Sequence, residues 1–200
     1  MGLLYFALRS AYVNGAPMSE RSSLYVPIES KMEALVIDRM CKPILARLPE
    51  SVSPNTLTYI NHVVCWIVLV FGAIAPGLDP VGAMLARIAA GVGVFLSMLL
   101  GCLDGMQARR TGRASRLGEV LDHWCDGLNM PLIASAMALT LELEPWSASA
   151  VMMSMGACYV AQLVIYHLSG RFVQCPTAGV QAQFLLLYVC LCLGVYGSID

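Results

Sequence analysis

The chain has 200 residues, 58% of them hydrophobic and 12% charged, with a mean hydropathy of +0.70 and a formal net charge of −1. Soluble domains carry about a quarter charged residues, so this composition excludes an ordinary soluble domain and reads as one integral membrane domain. The charge balance offers no basic footprint for nucleic acid. The eight cysteines lie mostly inside apolar runs without zinc-like CxxC pairs; they read as small buried hydrophobes, with a metal or disulfide role as the alternative.

Residues 1–30 form an N-terminal segment. Its apolar start, Met1 to Val13 with Arg9 and no acid, reads either as a targeting segment or as a short anchor. Residues 31–50 read as an interfacial amphipathic helix. Met32, Leu35, Val36, Met40, Ile44, Leu45 and Leu48 recur at helical spacing, with Lys31, Asp38, Arg39, Lys42 and Arg47 between them. Such a helix ahead of a membrane span lies in the interface or packs on a partner chain. Pro43 is expected to kink it or split it in two.

Residues 51–200 carry the membrane domain. Pro54 ends the preceding turn, and Asn55 is a candidate N-cap for the next helix. Five spans are predicted, each near the ~20 residues a bilayer needs: Leu57 to Ala75, Gly82 to Leu103, Gly118 to Leu141, Trp146 to Leu168, and Gly179 to Tyr196. Gly82, Gly91, Gly93 and Gly101 are expected to allow close helix approach. In the five-span arrangement every Lys and Arg except Arg87 falls on one face. By the positive-inside rule the N-terminus and the loop after the second span then face the cytosol, or the matrix or stroma of an organelle. The expected fold is therefore all-α: a polytopic helix bundle with an amphipathic helix ahead of it.

The most polar stretch is Leu103 to Leu128, LDGMQARRTGRASRLGEVLDHWCDGL, between two apolar runs. Ionisable groups at such a place mark function by default. Asp104 closes the second span. Gly118, Asp122 and Asp126 recur every four residues and share one face of the third. Clustered carboxylates repel unless a cation compensates, and hard oxygen ligands suit Mg2+, Mn2+ or Ca2+. Gly105 and Ala108 leave room for a ligand near the backbone, and Arg109 and Arg110 offer charge to phosphate. Metal, phosphate and bilayer together point to phosphoryl-group transfer to or from a lipid.

The pattern D-G-x2-A-R-x8-G-x3-D-x3-D, carried by Asp104, Gly105, Ala108, Arg109, Gly118, Asp122 and Asp126, closely resembles the signature of the CDP-alcohol phosphotransferase family. The segments DGMQARRTG, LGEVLDHWCD and SPNTLT are similar to the choline/ethanolamine phosphotransferase branch, and CPTAG at 175–179 resembles its GPTEG. The resemblance implies phospholipid biosynthesis: metal-dependent transfer of a phospho-alcohol from a CDP-alcohol to a lipid hydroxyl, with release of CMP. It implies Mg2+ or Mn2+ on Asp104, Asp122 and Asp126, and a substrate surface from Gly105, Ala108, Arg109, Gly118 and Asn55. Asp126 is the implied general base, with His123 and Glu119 as competing catalytic candidates; these two are i, i+4 neighbours, so Glu119 can orient the imidazole.

Three departures from the pattern stand out, and the first and third favour a second reading, a catalytically degenerate member serving as a structural subunit of a membrane complex. The family's first aspartate falls at Gly101, its usual lysine falls at Met106, and five spans are counted where the family core has six. Partners under the two readings are a CDP-alcohol, a lipid acceptor and membrane lipids, or else a second copy or other membrane subunits. A transporter is disfavoured by the lack of an internal repeat.

Overall fold

The computed structural model describes residues 31–169 and a single helical position at 192; the first 30 residues, the predicted fifth span and the CPTAG segment lie outside the described residues. Among the described residues the chain is helical throughout, with no strand.

The amphipathic stretch forms α1 (Lys31–Val36), one π-helical turn (Ile37–Cys41) and α2 (Lys42–Arg47). Pro43 does not split it. The backbone N–H of Lys42 bonds the Ile37 carbonyl five residues back, and the junction residues keep helical angles. A widened turn just before the proline makes room for its ring, which a regular α-turn would not. Val36 and Cys41 are buried, and Met40, Leu45 and Leu48 pack with them on the bundle, whereas Leu35 and Ile44 face outward.

The bundle is built from α3 (Pro54–Ile74), α4 (Pro80–Arg110), α5 (Arg116–Thr140) and α6 (Pro145–Ser169). Helix α3, extended by the turn Ala75–Gly77, and helix α4 are long and apolar enough to cross a membrane. Their burial pattern supports that reading. On α3, Leu57, Thr58, Asn61, Cys65 and Val68 face inward, while Val63, Trp66, Ile67 and Val70 are exposed. The outside is thus as apolar as the inside, as expected of a helix solvated by lipid. Helices α5 and α6 coincide within two residues with the third and fourth predicted spans.

Helix α3 is central. It packs along α4 on one side and α5 on the other, α6 covers α5, and α4 and α5 barely touch. Small residues permit the close approaches. A Cβ on Gly93 would lie 2.4 Å from a Val68 methyl, and one on Gly72 would lie 2.6 Å from the Ala136 carbonyl oxygen. Gly93 thus behaves as expected, but Gly101 does not: it is exposed, and a Cβ there would meet only Asn61 Nδ2, at 3.6 Å.

Asn55 is not the N-cap of α3. Ser53 holds that place with extended backbone and Pro54 is the first helical residue, which suits its missing N–H. Asp79 and Ser115 cap α4 and α5 through the N–H groups of Gly82 and Gly118. Helix α4 runs seven residues past the predicted end of its span, through the polar sequence to Arg110. At ~1.5 Å per residue it is ~46 Å long, well beyond a ~30 Å hydrocarbon core. Its polar end pins the segment before α3. Gln107, fully buried, donates to the carbonyls of Pro49 (3.1 Å) and Val52 (3.0 Å). Arg110 donates to the carbonyls of Leu45 and, at 2.6 Å, Leu48. At the other end of the bundle Arg87 pairs with Glu142 at 3.2 Å.

Candidate active site

Asp104 lies six residues before the end of α4, and Asp122 six residues after the start of α5. The antiparallel helices therefore put both at one depth, ~9 Å from their polar ends. Asp104 is buried. One carboxylate oxygen accepts from Thr58 Oγ1 of α3 at 2.9 Å, and the other from the Gly105 N–H at 2.6 Å. Asp122, and Asp126 one turn deeper, lie close enough to Asp104 and to each other to interact electrostatically. Three helices thus converge on a carboxylate pair with a third acid behind it.

Two carboxylates this close are stable together only with a shared proton or a cation between them. As hard oxygen donors they fit Mg2+ or Mn2+, which commonly take one or two carboxylates and complete their shell with water and substrate phosphate. Among the described residues no three of His, Cys, Asp and Glu are grouped closely enough to hold a metal ion. As carboxylates, Asp104, Asp122 and Asp126 all have the donor chemistry that suits such a cation.

The structure brings the substrate-side residues to the polar rim of this pair. A Cβ on Gly105 would lie 3.5 Å from the Arg109 guanidinium, and one on Gly118 would lie 3.2 Å from Asn55 Oδ1. Asn55, freed from capping, so reaches from α3 to the start of α5. Ala108 is half-buried and Arg109 exposed. Arg110 is not placed for phosphate, because its guanidinium is engaged by the open carbonyls that end α2. Glu119 is exposed and His123 half-buried on the first turns of α5, and the Tyr159 hydroxyl of α6 donates to the His123 carbonyl.

Several polar residues here were not singled out from the sequence. Thr58 holds Asp104. Next to Gly101, Ser97 Oγ donates to Asn61 Oδ1 at 2.6 Å, with Cys65 Sγ 3.3 Å from that hydroxyl. His62 and Asn129 join α3 to α5 at 2.8 Å. Their signal in the sequence was polarity inside an apolar span, which is costly and therefore purposeful; the motif stretch drew attention away from it. The cysteines described are all free; Cys41, Cys65 and Cys125 are buried, Cys65 within hydrogen-bonding distance of Ser97, whereas Cys158 on α6 is exposed.

A family model described as CDP-alcohol phosphatidyltransferase matches residues 51–198. An uncharacterized CDP-alcohol phosphatidyltransferase class-I family protein 2 of Dictyostelium discoideum is 35% identical over 107 residues, covering 52% of this chain and 26% of that one. Cholinephosphotransferase 1 of Mus musculus is 29% identical over 154 residues, covering 73% of this chain and 38% of its own length. The Homo sapiens cholinephosphotransferase 1 is 27% identical over 159 residues, with 76% and 38% covered. The chain thus spans well under half the length of these curated relatives.

Proposed function

The chain belongs to the CDP-alcohol phosphatidyltransferase family, in its choline/ethanolamine branch, and on that premise we propose that it transfers a phosphocholine- or phosphoethanolamine-type group from a CDP-alcohol to a lipid hydroxyl. The observation that carries this reading is the convergence of α3, α4 and α5 on Asp104 and Asp122 at the polar end of two membrane-length helices. There a water-soluble diphosphate and a bilayer alcohol can meet.

Asp104 and Asp122 would hold Mg2+ or Mn2+, which supplies charge compensation to the diphosphate. Thr58 and the Gly105 N–H fix the Asp104 carboxylate so that its geometry is set before substrate arrives. Arg109, beside Gly105, faces the phosphates, and Asn55 and Gly118 border the nucleotide side. The acceptor hydroxyl oxygen forms a bond to the phosphorus that bears the alcohol. The pyrophosphate P–O bond breaks, and CMP leaves with the bonding pair. The hydroxyl proton passes to Asp126, which lies one turn deeper than Asp122 and so nearer the lipid; His123, oriented by Glu119, is the competing base.

Gly101, with no three-residue ligand group among the described residues, favours a second reading, a structural subunit that kept the fold. One experiment separates the two. Purified protein in lipid nanodiscs with Mg2+, CDP-choline or CDP-ethanolamine and diacylglycerol releases CMP under the first reading. Release absent in wild type, or persisting in chelator or after both Asp122→Ala and Asp126→Ala, removes it.

A further inference from the structure

Asn129 of α5 is buried, and among the described residues its Nδ2 has no partner. Its orientation is set from outside the bundle inward. The Trp66 indole N–H, on the exposed face of α3, donates to His62 Nε2 at 3.1 Å, with the two rings edge to face at 6.3 Å. His62 Nε2 is therefore the acceptor nitrogen, so the ring hydrogen sits on Nδ1 and donates to Asn129 Oδ1 at 2.8 Å. With its oxygen engaged, the carboxamide keeps its NH2 for another group. A buried donor without an acceptor is costly in a bilayer, where water cannot serve. Two residues assembled to orient such a donor imply a ligand that brings an acceptor.

Depth identifies that acceptor. Going inward from the Arg109 rim come Asp104 and Asp122, then Asp126, then Asn129, three residues or ~4.5 Å further along α5. Beyond Asn129 the same helix buries only apolar or backbone-bonded side chains, including Ile133 and Ala136. A phosphate would not descend this far. A glycerol backbone spans a similar distance between its free hydroxyl and its neighbouring ester carbonyl, an acceptor-only group that belongs at this depth of a lipid.

We propose that Asn129, oriented by His62 and Trp66, binds an ester carbonyl of the acceptor lipid and so selects acylglycerols over ether-linked or simple fatty alcohols. This rests on the reading that an acceptor hydroxyl sits at Asp126. Asn129 is then a substrate-binding residue; His62 and Trp66 are positioning residues.

The test uses the full chain in nanodiscs, with dioctanoylglycerol and its dialkyl ether analogue as acceptors and CDP-choline as donor. Wild type favours the ester by about tenfold in kcat/KM, the factor one buried hydrogen bond provides. Asn129→Ala and Asn129→Asp, the latter similar in shape but lacking the donor, bring the ratio toward one and leave KM for CDP-choline unchanged. His62→Phe does the same in part. An unchanged ratio in Asn129→Ala, or equal losses for both acceptors with a shifted CDP-choline KM, overturns the proposal. A second measurement needs no turnover: Trp66 emission in a Trp124→Phe, Trp146→Phe protein. Dioctanoylglycerol shifts it more than the ether does, and Asn129→Ala removes the difference; no ester-selective shift in the parent overturns the proposal. A protein that shows the ester-selective shift but releases no CMP keeps the proposal and removes the transferase reading.

Discussion

Gly101→Asp tests the carboxylate site most directly, because it restores the family's first aspartate where the structure leaves room. A Cβ there would meet no atom closer than Asn61 Nδ2 at 3.6 Å, an ordinary van der Waals contact, so the position admits a side chain without a clash at its first carbon. Its effect is electrostatic. Residues three apart on a helix hold their Cβ atoms ~5–6 Å apart. Two carboxylates at ~6 Å in an effective dielectric of ~20 repel by about 3 kcal/mol. Gly101 is exposed, so solvent screening reduces this to roughly 1–2 kcal/mol. At ~2–4 °C per kcal/mol for a chain of this size, the metal-free variant melts roughly 2–8 °C below wild type. Adding Mg2+ recovers that loss and tightens Mg2+ binding about tenfold, the equivalent of ~1.4 kcal/mol. Gly101→Ala is the control: it adds a Cβ without charge, gains up to ~1 kcal/mol of helix propensity, and keeps the wild-type response to metal. Melting in detergent with and without Mg2+, beside calorimetric titration, reads both effects. A folded Gly101→Asp protein whose Mg2+ response equals that of Gly101→Ala would refute the reasoning, since the new carboxylate would then share no cation with Asp104.

Four further outcomes are expected. Asp126→Ala lowers CMP release by about 10²–10⁴-fold, the range for loss of a general base, while His123→Ala retains most of it; a reversed order in steady-state rates assigns the base to His123. Gly72→Ala, whose Cβ would stand 2.6 Å from the Ala136 carbonyl oxygen, destabilises the α3–α5 contact by about 1–3 kcal/mol, checked by thermal melting against Gly77→Ala, which meets nothing within 4 Å. Gln107→Ala removes two hydrogen bonds to the Pro49–Val52 segment and costs about 2 kcal/mol, with faster proteolysis before α3 as its sign. A spin label at Leu35 contacts lipid and one at Met40 does not, which oxygen and nickel accessibility distinguish; equal water exposure at both would place α1 off the membrane.

The helices of the bundle could be read from hydropathy because apolar runs of span length have few other uses. The motif helices could be read because D-G-x2-A-R-x8-G-x3-D-x3-D fixes two polar helix ends at once. What escaped was set by partners distant in sequence. Helix α4 continues to Arg110 because Gln107 and Arg110 find carbonyls some sixty residues earlier in the chain, which no local pattern reveals. Arg110 looked like a phosphate ligand for the same reason: an arginine in a polar motif does not announce that a helix C-terminus has claimed it. Asn55 and Ser53 both suit an N-cap, and Pro54 decides between them by taking the first helical position itself. Gly101 resembled the packing glycines by its spacing, yet the face it occupies opens toward Asn61 rather than against a neighbouring backbone.

The eight positions between Arg109 and Gly118 are not a uniform spacer. The turn after α4 is relaxed at Gly112, which takes a left-handed φ of 65°, and Arg113 and Ala114 are exposed. From Ser115 onward, the cap on the Gly118 N–H commits the chain to helix. A residue added beside Ala114 can bulge into water and leave the carboxylates where they are. A residue added between Ser115 and Asp122 turns everything beyond it by about 100° around the α5 axis, carrying Asp122 and Asp126 off the face that meets Asp104. The linker therefore combines an elastic stretch with a rigid one, and the rigid part keeps the two halves of the motif in phase.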